Sequence, residues 1–153
     1  MNFKHEFGNI ISKISHQGTA VLSTSLNNKV TSRTISLVTY DNVLAFQTSM
    51  NMRKYIQIQG NANVALCLGE IQLEGIAVDK GKAKEHEKFT SLFKEKHRGS
   101  YDAYTHLDSE RIVEISPTYI QVWKYIDGKP HVFKLDMVNE MVSLTPYYHE
   151  VGY

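Results

Sequence analysis

The apolar residues in the first third of the chain change from helical to alternating spacing. They recur every three or four positions over residues 3–14, which predicts an amphipathic helix. Runs rich in β-branched residues follow over residues 19–25, 30–40 and 43–48 and predict strands. Only Asp41-Asn42 separates the last two runs, and such a pair is typical of a tight hairpin turn. The chain therefore opens with a helix followed by antiparallel strands.

A second helix is predicted directly after this hairpin. A polar break over residues 49–51 precedes it, and apolar residues from Met52 onward recur at helical spacing. Arg53 and Lys54 fall in its first turn, where cations are unfavourable because that end of the helix dipole is positive. Arg33 shares a strand face with two apolar residues and needs a partner or an exit to water. These cations are explained by an anion bound at the helix start or by side chains that reach solvent, and the pattern leaves both explanations open.

Short strands separated by turns follow over most of the remaining chain. The predicted strands cover residues 63–68, 71–78, 112–115, 119–125 and 131–135. A charged stretch over residues 81–96 predicts a surface helix, and residues 97–110 predict a long polar loop of the kind that often carries function. The end of the chain, with Tyr147, Tyr148 and Tyr153, is expected to form an arm or tail that packs on a partner subunit. This succession predicts one domain over residues 1–153, mostly β with flanking helices, built as a small closed or split β-barrel.

Composition removes several classes of protein from this picture. The chain has 153 residues and a formal net charge of +1, which gives no electrostatic argument for nucleic acid or an anionic membrane. The sequence has no bilayer-length apolar run and no signal-peptide pattern, so we expect a cytoplasmic protein. Cys67 lies in an apolar run and is expected to be a buried, unreactive thiol. No metal-ligand cluster or catalytic constellation is visible in the sequence, so a cofactor would have to supply any chemistry.

The central part of the chain resembles one known family. The run Arg33-Thr34-Ile35-Ser36-Leu37, then Phe46-Gln47-Thr48, then Arg53-Lys54, is similar to the pyridoxamine 5'-phosphate oxidase-like family of FMN-binding split barrels. Gln72 and Trp123 extend the pattern over most of the chain. The resemblance implies an antiparallel, Greek-key-like split barrel that binds FMN. It also implies a homodimer with flavin sites at the subunit interface, because family members have this arrangement.

The resemblance assigns two groups of residues to the cofactor. Arg33 and Lys54 would pair with the FMN phosphate, and Arg53 would assist them. The residues that would approach the ring system are Thr34, Ile35, Ser36, Gln47, Thr48, Gln72 and, from the second subunit, Trp123. By pattern alone Gln72 is an ordinary exposed strand residue. Trp123 fits a core tryptophan on a late strand equally well.

The resemblance does not extend to the substrate site of a true pyridoxamine 5'-phosphate oxidase. Such enzymes carry an arginine-leucine-histidine-x-arginine run after the tryptophan, where this chain reads Lys129-Pro130-His131-Val132-Phe133-Lys134. Met52 stands where a serine is common in the family. We therefore expect FMN binding without useful pyridoxamine 5'-phosphate oxidase activity. Two functions stay open: a flavin-dependent oxidoreductase acting on an unidentified small molecule, and a non-enzymatic module that stores or senses flavin or haem.

Overall fold

A computed structural model describes residues 1–148, and these residues form one nine-stranded sheet with helices beside it. The main helices are α1 (Phe3–Gln17), α2 (Arg53–Gly60) and α3 (Glu87–Lys96). The strands are β1 (Thr19–Leu26), β2 (Lys29–Ser36), β3 (Val38–Tyr40), β4 (Val43–Ser49), β5 (Asn63–Leu68), β6 (Ile71–Lys82), β7 (Glu110–Ile126), β8 (Lys129–Asp136) and β9 (Met141–Pro146). None of the helices within residues 1–148 is long and apolar enough to cross a membrane.

Strand β7 organises the sheet because three other strands pair with it. The main strand order is β2-β1-β5-β6-β7-β4-β3, and β8 and β9 extend the sheet from the second half of β7. Every pairing is antiparallel, and the sheet does not close into a complete barrel. The prediction of an antiparallel split barrel with flanking helices is therefore confirmed.

The tight turns lie where the sequence predicts them. Asn27 and Asn28, between β1 and β2, have φ of 53° and 66°. Asp41 and Asn42, between β3 and β4, have φ of 49° and 63°. Two successive residues in the left-handed region give the hairpin turn whose twist matches that of the flanking strands, and asparagine and aspartate tolerate this conformation.

The proline in the late strands marks an irregularity within one strand, not a break between two. Residues 112–115 and 119–125 belong to the single strand β7, so the prediction of two pieces is wrong. The pairing of β6 with β7 shifts register between Glu74 and Gly75, and Gly75 lies opposite Pro117. A proline cannot donate to the sheet, and a bulge accommodates it.

Two hydrophobic clusters hold the fold together. The larger lies between α1 and the inner face of the sheet and includes Ile14, Leu22 and Phe46. The smaller lies under α3, where Phe89 and Phe93 pack on the sheet. The second cluster fixes α3 and the chain after it beside the ends of β2 and β4.

Two predicted boundaries are wrong, and in both cases backbone pairing explains the difference. Residues 30–40 form two strands, because the Leu37 N–H donates to the carbonyl oxygen of Gly18 (2.9 Å). The helix predicted over residues 81–96 begins only at Glu87, since β6 continues to Lys82 and a 3₁₀ turn follows at Ala83–Glu85.

The predicted loop and tail contain regular structure as well. After α3, an α-helical turn (Arg98–Ser100) runs into a π-helix (Tyr101–Thr105), and together they form the 98–105 segment. The stretch between the last predicted strand and the tyrosines of the predicted tail contains strand β9, which pairs with β8. Tyr147 follows β9 and its ring contacts Trp123, with 5.2 Å between ring centroids. Tyr153 lies outside the described residues.

Candidate functional site

A cleft of about 460 Å³ lies where six parts of the chain meet. The ends of β2 and β4 form one wall, and the start of α2 contributes Lys54 beside them. The opposite wall comes from α3, the 98–105 segment and the first residue of β7. The lining residues are Thr34, Ile35, Ser36, Gln47, Thr48, Ser49, Met52, Lys54, Phe93, Ser100, Tyr104 and Glu110. Hydroxyl groups, an amide, an amine and a carboxyl group suit the cleft to a polar ligand.

Six of the ten residues assigned to the cofactor line this cleft. They are Thr34, Ile35, Ser36, Gln47, Thr48 and Lys54. They meet there because β2 and β4 both end at the cleft and the chain turns from β4 directly into α2. The turn is held by the Met50 N–H, which donates to the carbonyl oxygen of Ser109 (2.9 Å).

Lys54 is a half-buried cation with no close partner in residues 1–148. It makes neither a hydrogen bond nor an ion pair there. Burial lowers its pKa, the positive charge of Arg33 lowers it further, and the negative charge of Glu110 raises it. An anion in the cleft would relieve this unfavourable environment.

Arg33 lies beside the cleft and not in its lining. Its guanidinium donates to Thr24 Oγ1 (2.8 Å), Thr31 Oγ1 (2.6 Å) and the carbonyl oxygen of Leu22 (3.3 Å). All three acceptors are neutral, and the guanidinium has five N–H donors, so two remain. Burial lowers the pKa of Arg33, and the nearby charge of Arg53 lowers it further.

Gln57 fixes the threonines that hold Arg33. Its Oε1 accepts hydrogen bonds from Thr24 Oγ1 (2.6 Å) and Thr31 Oγ1 (2.7 Å), and its side chain is buried. Each hydroxyl donates to Gln57 and accepts from Arg33, so the guanidinium is held in one orientation. The sequence pattern did not indicate Gln57, because the helical spacing runs through Met52, Tyr55, Ile56 and Gln59, and of these only Tyr55 is buried.

Gln47 secures the opposite wall of the cleft. Its Oε1 accepts a hydrogen bond from Thr105 Oγ1 (2.6 Å), and its Nε2 donates to the carbonyl oxygen of Ser100 (3.4 Å). Gln47 thereby ties the end of β4 to the 98–105 segment. Its side chain has a structural role that the sequence did not indicate.

Gln72 and Trp123 lie outside the cleft, on the outer face of the sheet. Gln72 pairs with Gln121 across β6 and β7, and Trp123 follows two residues later on the same face. Cys67 lies on this face as well, opposite Gln72, and is exposed. The prediction of a buried thiol is therefore wrong, because alternation along β5 turns Leu66 and Leu68 inward instead.

Glu110 is the main cleft residue that was not among those predicted from the sequence. It is only 5% exposed, and burial raises the pKa of its carboxyl group, while Lys54 lowers it in part. Its position two residues before the buried Ile112 on an alternating strand was the available signal. Within residues 1–148, no three His, Cys, Asp or Glu side chains converge as metal ligands would.

No protein-family model and no curated protein matches the sequence, whereas solved structures match its fold. The General Stress Protein 26 from Bacillus anthracis str. Sterne is 26% identical over 83% of this chain and 97% of its own, with a TM-score of 0.61. A pyridoxamine 5'-phosphate oxidase-related, FMN binding protein from Nostoc punctiforme matches 94% of both chains at 12% identity, with a TM-score of 0.58. The chain has the split-barrel fold of pyridoxamine 5'-phosphate oxidase-like proteins.

Proteins with this oxidase-like split barrel differ in what they bind. HutZ from Vibrio cholerae, described as a heme storage protein, matches 76% of this chain and 91% of its own at 11% identity, with a TM-score of 0.59. The resemblance stated from the sequence is confirmed at the level of the fold. The choice of ligand has to be argued from the residues of the cleft.

Proposed function

We propose that this protein binds FMN in the cleft and acts as a flavin-dependent oxidoreductase on a small molecule. The observation that carries the proposal is Lys54, a half-buried cation that faces the cleft without a close partner among the described residues. Arg33 adds a second cation, held by neutral hydroxyls with donors to spare. A phosphate group satisfies both cations, because it accepts several charge-assisted hydrogen bonds.

The residues of the chain would bind and orient the flavin, which supplies the redox chemistry when bound. The strand ends at Thr34–Ser36 and Gln47–Thr48 give the cleft backbone groups and hydroxyls for the polar edges of a ring system. The Gln47 bridge to the 98–105 segment would keep the opposite wall in position. We propose no catalytic residue for the oxidoreductase, and its substrate is expected to differ from pyridoxamine 5'-phosphate.

We further propose that the protein works as a homodimer with flavin sites at the subunit interface. Gln72 and Trp123 lie on the outer face of the sheet, away from the cleft of their own chain. A second copy that packs on this face could bring its Trp123 to the flavin of the first. This arrangement would give Gln72 and Trp123, which lie away from the cleft of their own chain, a place near a flavin.

The second candidate function is a non-enzymatic module that stores or senses flavin or haem. It is favoured by the fold that the chain shares with the heme storage protein HutZ. Among residues 1–148 the cleft lining contains no histidine or cysteine, but it includes Met52 and Tyr104, and both residue types also serve as axial ligands of haem iron. The preference for FMN therefore rests on Lys54, whose charge suits a phosphate group. The absorbance spectrum of the purified protein separates flavin from haem. Steady-state consumption of NAD(P)H by the flavin-loaded protein separates an enzyme from a storage module.

The phosphate assignment is tested by removing its two cations. Each charge-assisted hydrogen bond contributes roughly 1.5 to 3 kcal/mol, so Arg33→Ala combined with Lys54→Ala should weaken FMN binding by more than about a hundredfold. Flavin fluorescence quenching gives the affinity, and circular dichroism checks the fold. Lys80→Ala removes an exposed cation of β6 that does not line the cleft and serves as the control. Unchanged FMN affinity in the folded double variant would contradict the proposal.

A further inference from the structure

Glu110 is a buried carboxyl group that faces the candidate ligand cleft. It begins β7, beside Ser49 of β4, and lines the cleft together with Lys54. Within residues 1–148 its side chain makes no hydrogen bond and no ion pair. Every fully enclosed side-chain oxygen in these residues makes a hydrogen bond. The carboxyl group of Glu110 makes none, so it is not fully enclosed, and its small exposed part opens to the cleft.

Lys54 is the charge that acts on Glu110 most directly. The two groups influence each other's pKa, since Lys54 favours the ionised carboxylate and Glu110 favours the charged amine. Their mutual attraction partly offsets the cost of burying both charges. A ligand that binds Lys54 through an anionic group brings a second negative charge towards Glu110.

The other ionisable groups around Glu110 do not replace Lys54. Tyr104 of the 98–105 segment lines the same cleft, but its phenol supplies no positive charge. Arg111 donates to the backbone carbonyls of Asp108 and Glu110, not to the carboxyl group. Asp108 is exposed and pairs with Lys84. Arg33, from β2, acts on Lys54.

We propose that Glu110 couples anion binding in this cleft to the uptake of one proton by its carboxyl group. The inference rests on the proposed anion site at Lys54 and adds a form of regulation to it. When a dianion binds Lys54, the carboxylate loses the benefit of that amine and gains a repulsive neighbour. Taking a proton from solvent relieves the repulsion and leaves a neutral carboxyl group that can donate a hydrogen bond to the ligand.

Coupling of this kind makes affinity depend on pH in a defined direction. If the complex holds one proton more than the free protein, affinity rises by up to about tenfold for each unit by which the pH falls. Ligands without an anionic group do not gain this dependence. Riboflavin, which carries the flavin ring without the phosphate, is therefore expected to bind without proton uptake at Glu110.

The test measures proton uptake directly, with Glu110→Gln as the variant that cannot be protonated. Calorimetry of FMN binding in several buffers of different ionisation enthalpy gives the number of protons taken up. Sulfate is the second probe, followed by nuclear magnetic resonance titration across neutral pH, because this dianion does not itself titrate there. Asp108→Asn removes an exposed carboxylate two residues away and is the matched control.

Every outcome either supports or overturns the proposed proton coupling. The proposal is supported if FMN or sulfate binding takes up close to one proton, if Glu110→Gln abolishes the uptake, and if Asp108→Asn retains it. Uptake that persists in Glu110→Gln, or no uptake with either anion, overturns it. If sulfate binds with Glu110-dependent uptake but FMN does not bind, the coupling stands and the proposed FMN function fails. If neither anion binds, both proposals fail.

Discussion

Single residues in the cleft are held in environments that disfavour their charged forms. Burial lowers the pKa of Lys54 and raises that of Glu110, so the folded protein holds each less readily as an ion than the unfolded chain would. Such groups cluster at functional sites more often than elsewhere, since binding sites need unsatisfied charge. The free energy of unfolding should therefore vary with pH through these residues.

Glu110→Gln should make the ligand-free protein more stable at neutral pH. The carboxyl group has a raised pKa in the folded state, so the folded protein binds its proton more tightly than the unfolded chain, where the pKa is about 4.3. Its contribution is most favourable below that value and is lost as the pH rises through the folded pKa. Denaturant unfolding across this pH range should show that the free energy of unfolding of the variant, relative to that of the wild type, increases as the pH rises. A gain that instead appears at low pH would contradict the assignment.

At the scale of helices and strands, local signals were readable and long-range pairing was not. The hairpin turn at Asp41-Asn42 and the start of α2 at Arg53 depend on neighbouring residues, and the sequence predicted both. The extension of β6 to Lys82 depends on pairing with Arg111, far along the chain. The sequence pattern predicted a helix at this stretch, because its charged residues fit an exposed helix as well as a strand.

The residues of the candidate site fall into the same two groups, those indicated by local sequence and those placed by long-range packing. Thr34–Ser36, Gln47–Thr48 and Lys54 are close in sequence, and the family pattern found them. Glu110 and the 98–105 segment reach the cleft only because the second cluster under α3 holds them against β4. No local periodicity carries that information.

Gly75 should not tolerate a side chain, because it lies at the irregular pairing between β6 and β7. An added Cβ would lie 2.7 Å from Ile115 Cγ2 and 2.8 Å from the backbone oxygen of Ser116. Gly75→Ala should therefore lower the free energy of unfolding by roughly 1 to 3 kcal/mol, as measured by denaturant titration. Gly8→Ala is the control, since its Cβ meets no atom within 4 Å and alanine favours the helix. Equal stability of the two variants would show that β7 yields at this point.

At the scale of the whole molecule, the outer face of the sheet exposes apolar residues among its polar ones. An antiparallel sheet commonly turns polar side chains to water on the face opposite its core. Here β1 and β6 expose Val21, Ile76 and Val78 on that face. Trp123 lies further along the same face, against Tyr147. Apolar and aromatic residues of this kind favour a protein partner over water.

A homodimer through this face should be visible in solution and should matter for the flavin. Sedimentation equilibrium at micromolar concentration should give twice the chain mass. Ile76→Lys combined with Val78→Lys should convert the dimer to a monomer. The double variant should also bind FMN more weakly, because each proposed site would lose the partner's Trp123. Val138→Lys, in the exposed turn between β8 and β9, should change neither property.

Trp123→Ala should leave the dimer intact and weaken only FMN binding, by an amount typical of one aromatic contact, about 0.5 to 1.5 kcal/mol beyond its buried area. A wild-type monomer that binds FMN with full affinity would contradict the shared site, because one chain would then suffice to hold the cofactor.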